Sequence, residues 1–185
     1  MKSEKLIAEL RTERLLLRQW KDADLVAFGA MNADPRVMEF FPGVLARDES
    51  DRRVDRFRAQ FLERGFGVWA VEVPGVTPFV GFVGLAYPHL PPPFEPRVEI
   101  GWRLAFEHWG KGYATEAARA ALNAAFHIPE IDEIVSMTAV ANFRSRRVME
   151  KLGLRHSSND DFEHPGLPEG HALRRHVLYR LSRNF

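Results

Sequence analysis

The segment Trp109-Gly110-Lys111-Gly112-Tyr113-Ala114-Thr115-Glu116 constrains this chain more than any other. It joins an apolar run ending at Leu104 to a stretch with helical spacing from about Tyr113 to Phe126. Along that stretch Ala114, Ala117, Ala121, Leu122 and Ala125 share one face. Glycine lets a backbone turn tightly and approach a ligand with no Cβ in the way. The first N–H groups of the helix that follows have no partner inside it. Unpaired amides and the helix dipole together make an anion site, best suited to a pyrophosphate, and Lys111 adds a point charge. The same glycines are also compatible with nothing more than a tight connection. A Walker A loop is disfavoured. It needs glycine where Ala105 stands and Ser or Thr where Gly112 stands.

The flanking sequence predicts an α/β (α+β) chain. Arg14–Arg18 reads as a first strand. Asp22 or Asp24 is placed to cap a helix running to about Met31. Asp48–Arg64 reads as an amphipathic helix with Val54, Phe57 and Phe61 inward. Gly67–Val73 and Phe79–Tyr87 read as a hairpin across Pro74-Gly75. Residues 88–96 hold five prolines and read as an exposed connection. Strands are expected at Arg97–Leu104, Glu133–Ala139 and Arg175–Leu181, and a helix at Asn142–Leu152 closed by Gly153. The strand–helix–strand unit over 97–139 predicts two parallel strands. The sum is a mixed twisted sheet of about six to seven strands with helices on both faces, in a single domain over residues 1–185.

Composition narrows the function. The chain has 185 residues, a formal charge of +1 and no cysteine. No disulfide, thiolate metal site or cysteine nucleophile is available, so an acyl-cysteine intermediate is excluded. The charge balance does not point to nucleic acid or membrane. Eight charged residues between Lys2 and Arg18, with no apolar core between them, speak against a signal peptide. No apolar run reaches transmembrane length, and the expected location is cytoplasmic. His164, His171 and His176 lack metal spacing, so no metal is expected. His164 and His176 are candidates to line a pocket, and Trp20, Phe40, Phe41 and Trp69 for core or pocket wall.

Val98-Glu99-Ile100-Gly101-Trp102 precedes the loop. Asn142-Phe143-Arg144-Ser145 and Met149-Glu150-Lys151-Leu152-Gly153 follow it. In this combination the chain resembles the GNAT acetyltransferase superfamily, and within it the branch of the RimJ and RimL ribosomal-protein N-terminal acetyltransferases. The likeness runs from about Thr12 to Gly153. One departure is Trp109, where the superfamily pattern begins with Gln or Arg.

The resemblance implies an acetyl-coenzyme A-dependent N-acetyltransferase that attacks the thioester directly with a primary amine, either a peptide N-terminus or a small amine. A monomer or homodimer is implied by analogy. It assigns the diphosphate to the amides of Gly110, Lys111, Gly112, Tyr113, Ala114 and Thr115. It lays the pantetheine arm between splayed strands 97–104 and 133–139, with Trp102, Arg103 and Leu104 contributing backbone groups. Asn142 matches a residue contacting that arm or the substrate, and it equally suits a helix N-cap. Ser145 matches a general acid for the departing thiolate, or a residue satisfied locally. Arg144 and Arg147, crowding a helix start against its dipole, are candidates for a cofactor phosphate or plain surface charge. Glu99 matches a general base, which burial would suit by raising its pKa, or a structural carboxylate. The alternative at the level of function is a non-catalytic module of the same fold that binds coenzyme A as a sensor or holds a partner.

Overall fold

The computed structural model describes residues 7–88 and 98–183. Nine strands join one sheet among these residues: β1 Leu10–Arg11, β2 Leu16–Arg18, β3 Val68–Val73, β4 Thr77–Ala86, β5 Val98–Leu104, β6 Glu133–Ala139, β7 Arg155–His156, β8 Phe162–Glu163 and β9 Arg175–Ser182. The helices are α1 Asp24–Ala33, α2 Arg47–Arg64, α3 Tyr113–Ala125 and α4 Phe143–Lys151. The sheet runs β1-β2-β3-β4-β5-β6-β9-β7, with β8 also on β9. The sheet is mixed as expected, and the β5–β6 pair is parallel. Three of the strands, β1, β7 and β8, span only two residues and carry no alternation long enough to read. The prolines beyond Pro88, and Arg97, lie outside the described residues.

Alternation along the central strands sorts their side chains into two cores. Trp69, Val71, Val83, Leu85, Val98 and Ile100 face α3 and α4, where Ala117, Ala118, Ala121, Leu122, Ala125 and Met149 are buried. The small alanine face brings α3 close to the sheet. Val68, Ala70 and Phe79 face the other way, toward α1 and α2, and join Trp20, Phe28, Met31 and Val54. Trp20 is edge-on to Phe28 at 4.9 Å between ring centroids and stacks on Phe57 at 5.6 Å. Trp20 and Trp69 are both core residues.

The start of α1 departs from expectation. Neither Asp22 nor Asp24 caps it; the N-cap is Ala23, with no side-chain bond. Asp24 is instead buried and accepts both terminal nitrogens of Arg18, at 2.8 and 2.9 Å. It also accepts the Lys21 N–H at 2.8 Å. Arg18 completes its donors on Glu72 at 2.6 Å and the Pro78 carbonyl at 2.6 Å. A buried guanidinium needs such a full complement, and this one took the aspartate that a cap would have used.

Candidate active site

The two glycines at the end of the β5–α3 connection both have left-handed backbone, Gly110 at φ 75° and Gly112 at φ 82°. Gly112 is the N-cap of α3, and the first bond of the helix runs from the Glu116 N–H to the Gly112 carbonyl. Among the described residues the amides of 110–115 have no acceptor. The structure therefore holds the row of free N–H groups that an anion requires.

Glu116 fixes this loop from outside. Its carboxylate accepts from Thr12 Oγ1 at 2.6 Å, the Arg14 amide at 3.0 Å and Arg14 Nε at 2.7 Å. Arg14 in turn donates to the Lys111 carbonyl at 3.1 Å and lies 5.0 Å over the Tyr113 ring. The pairing with Arg14 and Thr12 holds the Glu116 carboxyl below its ordinary pKa despite partial burial. Its negative charge is thus matched before any anion arrives. Within the motif Glu116 carries no signal of this role, because its partners Thr12 and Arg14 lie more than a hundred residues away.

The second component is a gap in the sheet. β5 and β6 each have seven residues, yet they pair only at Val98–Ile134 and Glu99–Val135. β5 stays zipped to β4 as far as Leu104–Gly81, and β6 to β9 along its whole length. The edges of 100–104 and 136–139 that face each other are left without sheet partners. A cavity of about 550 Å³ opens there, bounded by Gly110, Gly112, Tyr113, Ala114 and Thr115 on one side. It continues past Trp102, Leu104 and Met137 to Phe40, Phe41 and Phe82 on the side of α1 and α2. Phe40 and Phe41 are thus pocket wall. The gap joins the two layers of the molecule through the sheet.

The remaining expected residues fall as follows. Glu99 lines the cavity at the last paired position before the gap. No described residue bonds its carboxylate, and desolvation raises its pKa to about 7. Asn142 caps α4, its Oδ1 accepting the Ser145 N–H at 3.2 Å while Nδ2 donates to Thr138 Oγ1 at 2.9 Å; it also borders the cavity. Ser145 lines the cavity with its hydroxyl uncommitted among the described residues. Arg147 reaches the cavity wall. Arg144 also borders it but pairs with Glu39 and lies 4.7 Å over Trp109, tying α4 to the α1–α2 connection. Lys111 is not part of the cavity wall; its carbonyl accepts from Arg14. Arg103 faces away from the loop, into the layer of α1 and α2.

His164 and His176 are not in the cavity. They pack against each other at 4.9 Å beside Phe162, at the β8–β9 edge. β8 pairs with β9 and turns the segment outward. His108, Arg36 and Phe82 line the cavity and carried no sequence signal. Among the described residues no group of three or more potential metal ligands is found, and no helix is long and apolar enough to cross a membrane.

Residues 14–155 match the family described as acetyltransferase (GNAT) domain. The chain belongs to the GNAT acetyltransferase family. The uncharacterized N-acetyltransferase YnaD of Bacillus subtilis (strain 168) is 29% identical over 149 residues, covering 79% of this chain and 82% of its own. The crystal structure of a GNAT-family acetyltransferase from Bacillus anthracis superposes with a TM-score of 0.78 at 27% identity. That match covers 94% of this chain and 98% of the other. RimL, a ribosomal L7/L12 alpha-N-protein acetyltransferase solved with coenzyme A, shares the fold, with a TM-score of 0.75 at 14% identity over 94% of this chain and 97% of its own. As a member of this family the chain is an N-acetyltransferase.

Proposed function

We propose that residues 1–185 act as one domain that transfers acetyl from acetyl-coenzyme A directly to a primary amine, both held together in the cavity. One observation carries this reading. The loop residues Gly110, Gly112, Tyr113, Ala114 and Thr115 with their free amides, the unpaired edges of β5 and β6, and a half-buried carboxylate with no partner among the described residues border one continuous space. The first two features suit the diphosphate and the amide-bearing arm of the cofactor, which supplies the activated thioester. The third suits the amine.

In this reading Glu99 takes the proton from the attacking nitrogen, directly or through water, as the N–C bond forms. A pKa near 7 lets it be ionised at neutral pH while still a useful base. An α-amino group with pKa near 8 needs only modest help. The Ser145 hydroxyl gives its proton to the sulfur as the C–S bond breaks and regains one from water, while Glu99 releases the amine's proton to solvent, so both groups return to their starting state. The backbone N–H of Trp102, on the unpaired edge, offers the carbonyl oxygen a donor. The likeness to RimL is one of fold. It leaves a peptide N-terminus and a small amine both within the proposal.

The test is release of free thiol from acetyl-coenzyme A on adding primary amines, followed with a thiol reagent. Amine-dependent release with matching acetylated product supports the reading. Coenzyme A that raises the melting temperature while no amine releases thiol would identify a binding module instead.

A further inference from the structure

Arg103 is 7% exposed, and no carboxylate pairs with it among the described residues. Nη1 donates to Asn32 Oδ1 at 2.6 Å, and Nε is buried with no partner. Asn32 is itself buried and spends its amide on Ser50 Oγ at 2.9 Å. The guanidinium lies 4.0 Å over Phe41 and 5.5 Å from the Phe82 ring, and it borders the cavity. Arg53 pushes on it with like charge; that residue pairs with Glu49 at 3.3 Å, and its Nε is buried with no partner among the described residues. Burial and that repulsion pull the Arg103 pKa down to about 9, so the charge persists at neutral pH.

Arg18 shows what the same chain does with a structural buried arginine. It surrounds that one with two carboxylates and two carbonyls. Arg103 has none of this and faces open space. A buried cation so placed favours an anion in the space it faces, and a planar fork is matched best by a carboxylate. The diphosphate is not that anion, because the 110–115 cradle lies in the layer of α3 and Arg103 in the layer of α1 and α2. Glu99, Gly101 and Arg103 alternate onto the same side of β5, which puts base and cation in one compartment.

We propose that Arg103 binds the carboxylate of a small amine acceptor, with Phe41 and Phe82 enclosing it, so that amines bearing an acid are favoured over neutral ones. This rests on the transferase reading and names the class of its acceptor. Phe41 and Phe82 make that end of the cavity an apolar wall around the guanidinium, which suits a small acid better than the acidic side chain of a peptide.

The experiment compares kcat/KM for matched acceptors: L-phenylalanine against L-phenylalaninamide, L-methionine against L-methioninamide, and an N-terminal aspartyl tripeptide against its asparaginyl counterpart. The amides have the more nucleophilic amine at neutral pH, so a preference for the acids runs against intrinsic reactivity. The acids are expected to win by at least about tenfold. The ratio is expected to fall to about one in Arg103→Gln. Asn32→Asp would give Arg103 an internal carboxylate; it should also abolish the ratio while raising the melting temperature, which separates a filled anion site from a misfolded variant. Equal rates for acid and amide in the natural protein, or an unchanged ratio in Arg103→Gln, overturn the proposal. A preference confined to the aspartyl tripeptide overturns its small-molecule form.

A readout without turnover separates this inference from the reading beneath it. With coenzyme A saturating, N-acetyl-L-phenylalanine should raise the melting temperature and N-acetyl-L-phenylalaninamide should not. Failure of that pair while other amines are acetylated sinks the carboxylate site alone. Absence of thiol release with every amine sinks the transferase reading.

Discussion

Glu99 illustrates how much a side chain's surroundings add to its identity. The strand pattern set it opposite Val98 and Ile100, and a base there was expected from resemblance. The structure adds the missing partner and a pKa raised to about 7. The pH consequences follow by sign. The folded state holds this proton more tightly than the unfolded chain, so stability is lost as pH rises from the ordinary carboxylate range through about 7. Glu99→Gln is expected to melt higher than the natural protein at pH 8 and about equally near pH 4.5. If Glu99 is the base, kcat/KM of the natural enzyme rises through an apparent pKa near 7, and the substitution removes that limb. Asn142 and Ser145 separate in the same way. Loss of the Asn142 cap should cost about 1 kcal/mol in urea unfolding. Ser145 contributes its amide, not its hydroxyl, to that cap. Ser145→Ala should therefore unfold within about 0.5 kcal/mol of the natural protein while kcat falls on the order of 100-fold. The burial of Arg103 was not legible: an arginine in a strand reads as surface, and its partner Asn32 comes from a helix 71 positions away.

At the scale of elements, most of the chain was readable because each segment carried its own period. The alanine face of α3, the Phe61 side of α2 and the alternation of β9 each specify one geometry. The loop before α3 was readable for a different reason, since two glycines and a helix start leave few backbone options. Both glycines proved to have positive φ. Gly112→Ala would place a Cβ in a left-handed conformation at the N-cap. It is expected to cost about 1 kcal/mol of stability and to weaken coenzyme A binding by calorimetry. What failed were elements without a period. Strands of two residues depend on what they pair with, and the α1 cap was lost to a buried ion pair that only the assembled layers create. The outward turn of the segment bearing His164 is of that kind as well.

At the scale of the whole molecule the dominant feature is a gap in the sheet. Two parallel strands pair twice and then part, and the opening connects a layer that offers amides to one that offers an acid and a cation. No residue in β5 or β6 announces that parting. The family resemblance implied it, and β4 and β9 stay paired to the outer edges of the two strands where they part. For the proposed transfer a diphosphate must sit on the free amides of 110–115. Calorimetric titration with coenzyme A, and separately with pantetheine, tests it most directly. Coenzyme A should bind one to one, and pantetheine, which lacks the diphosphate, at least about 100-fold more weakly. Equal affinity for the two, or no heat with coenzyme A, would contradict the account.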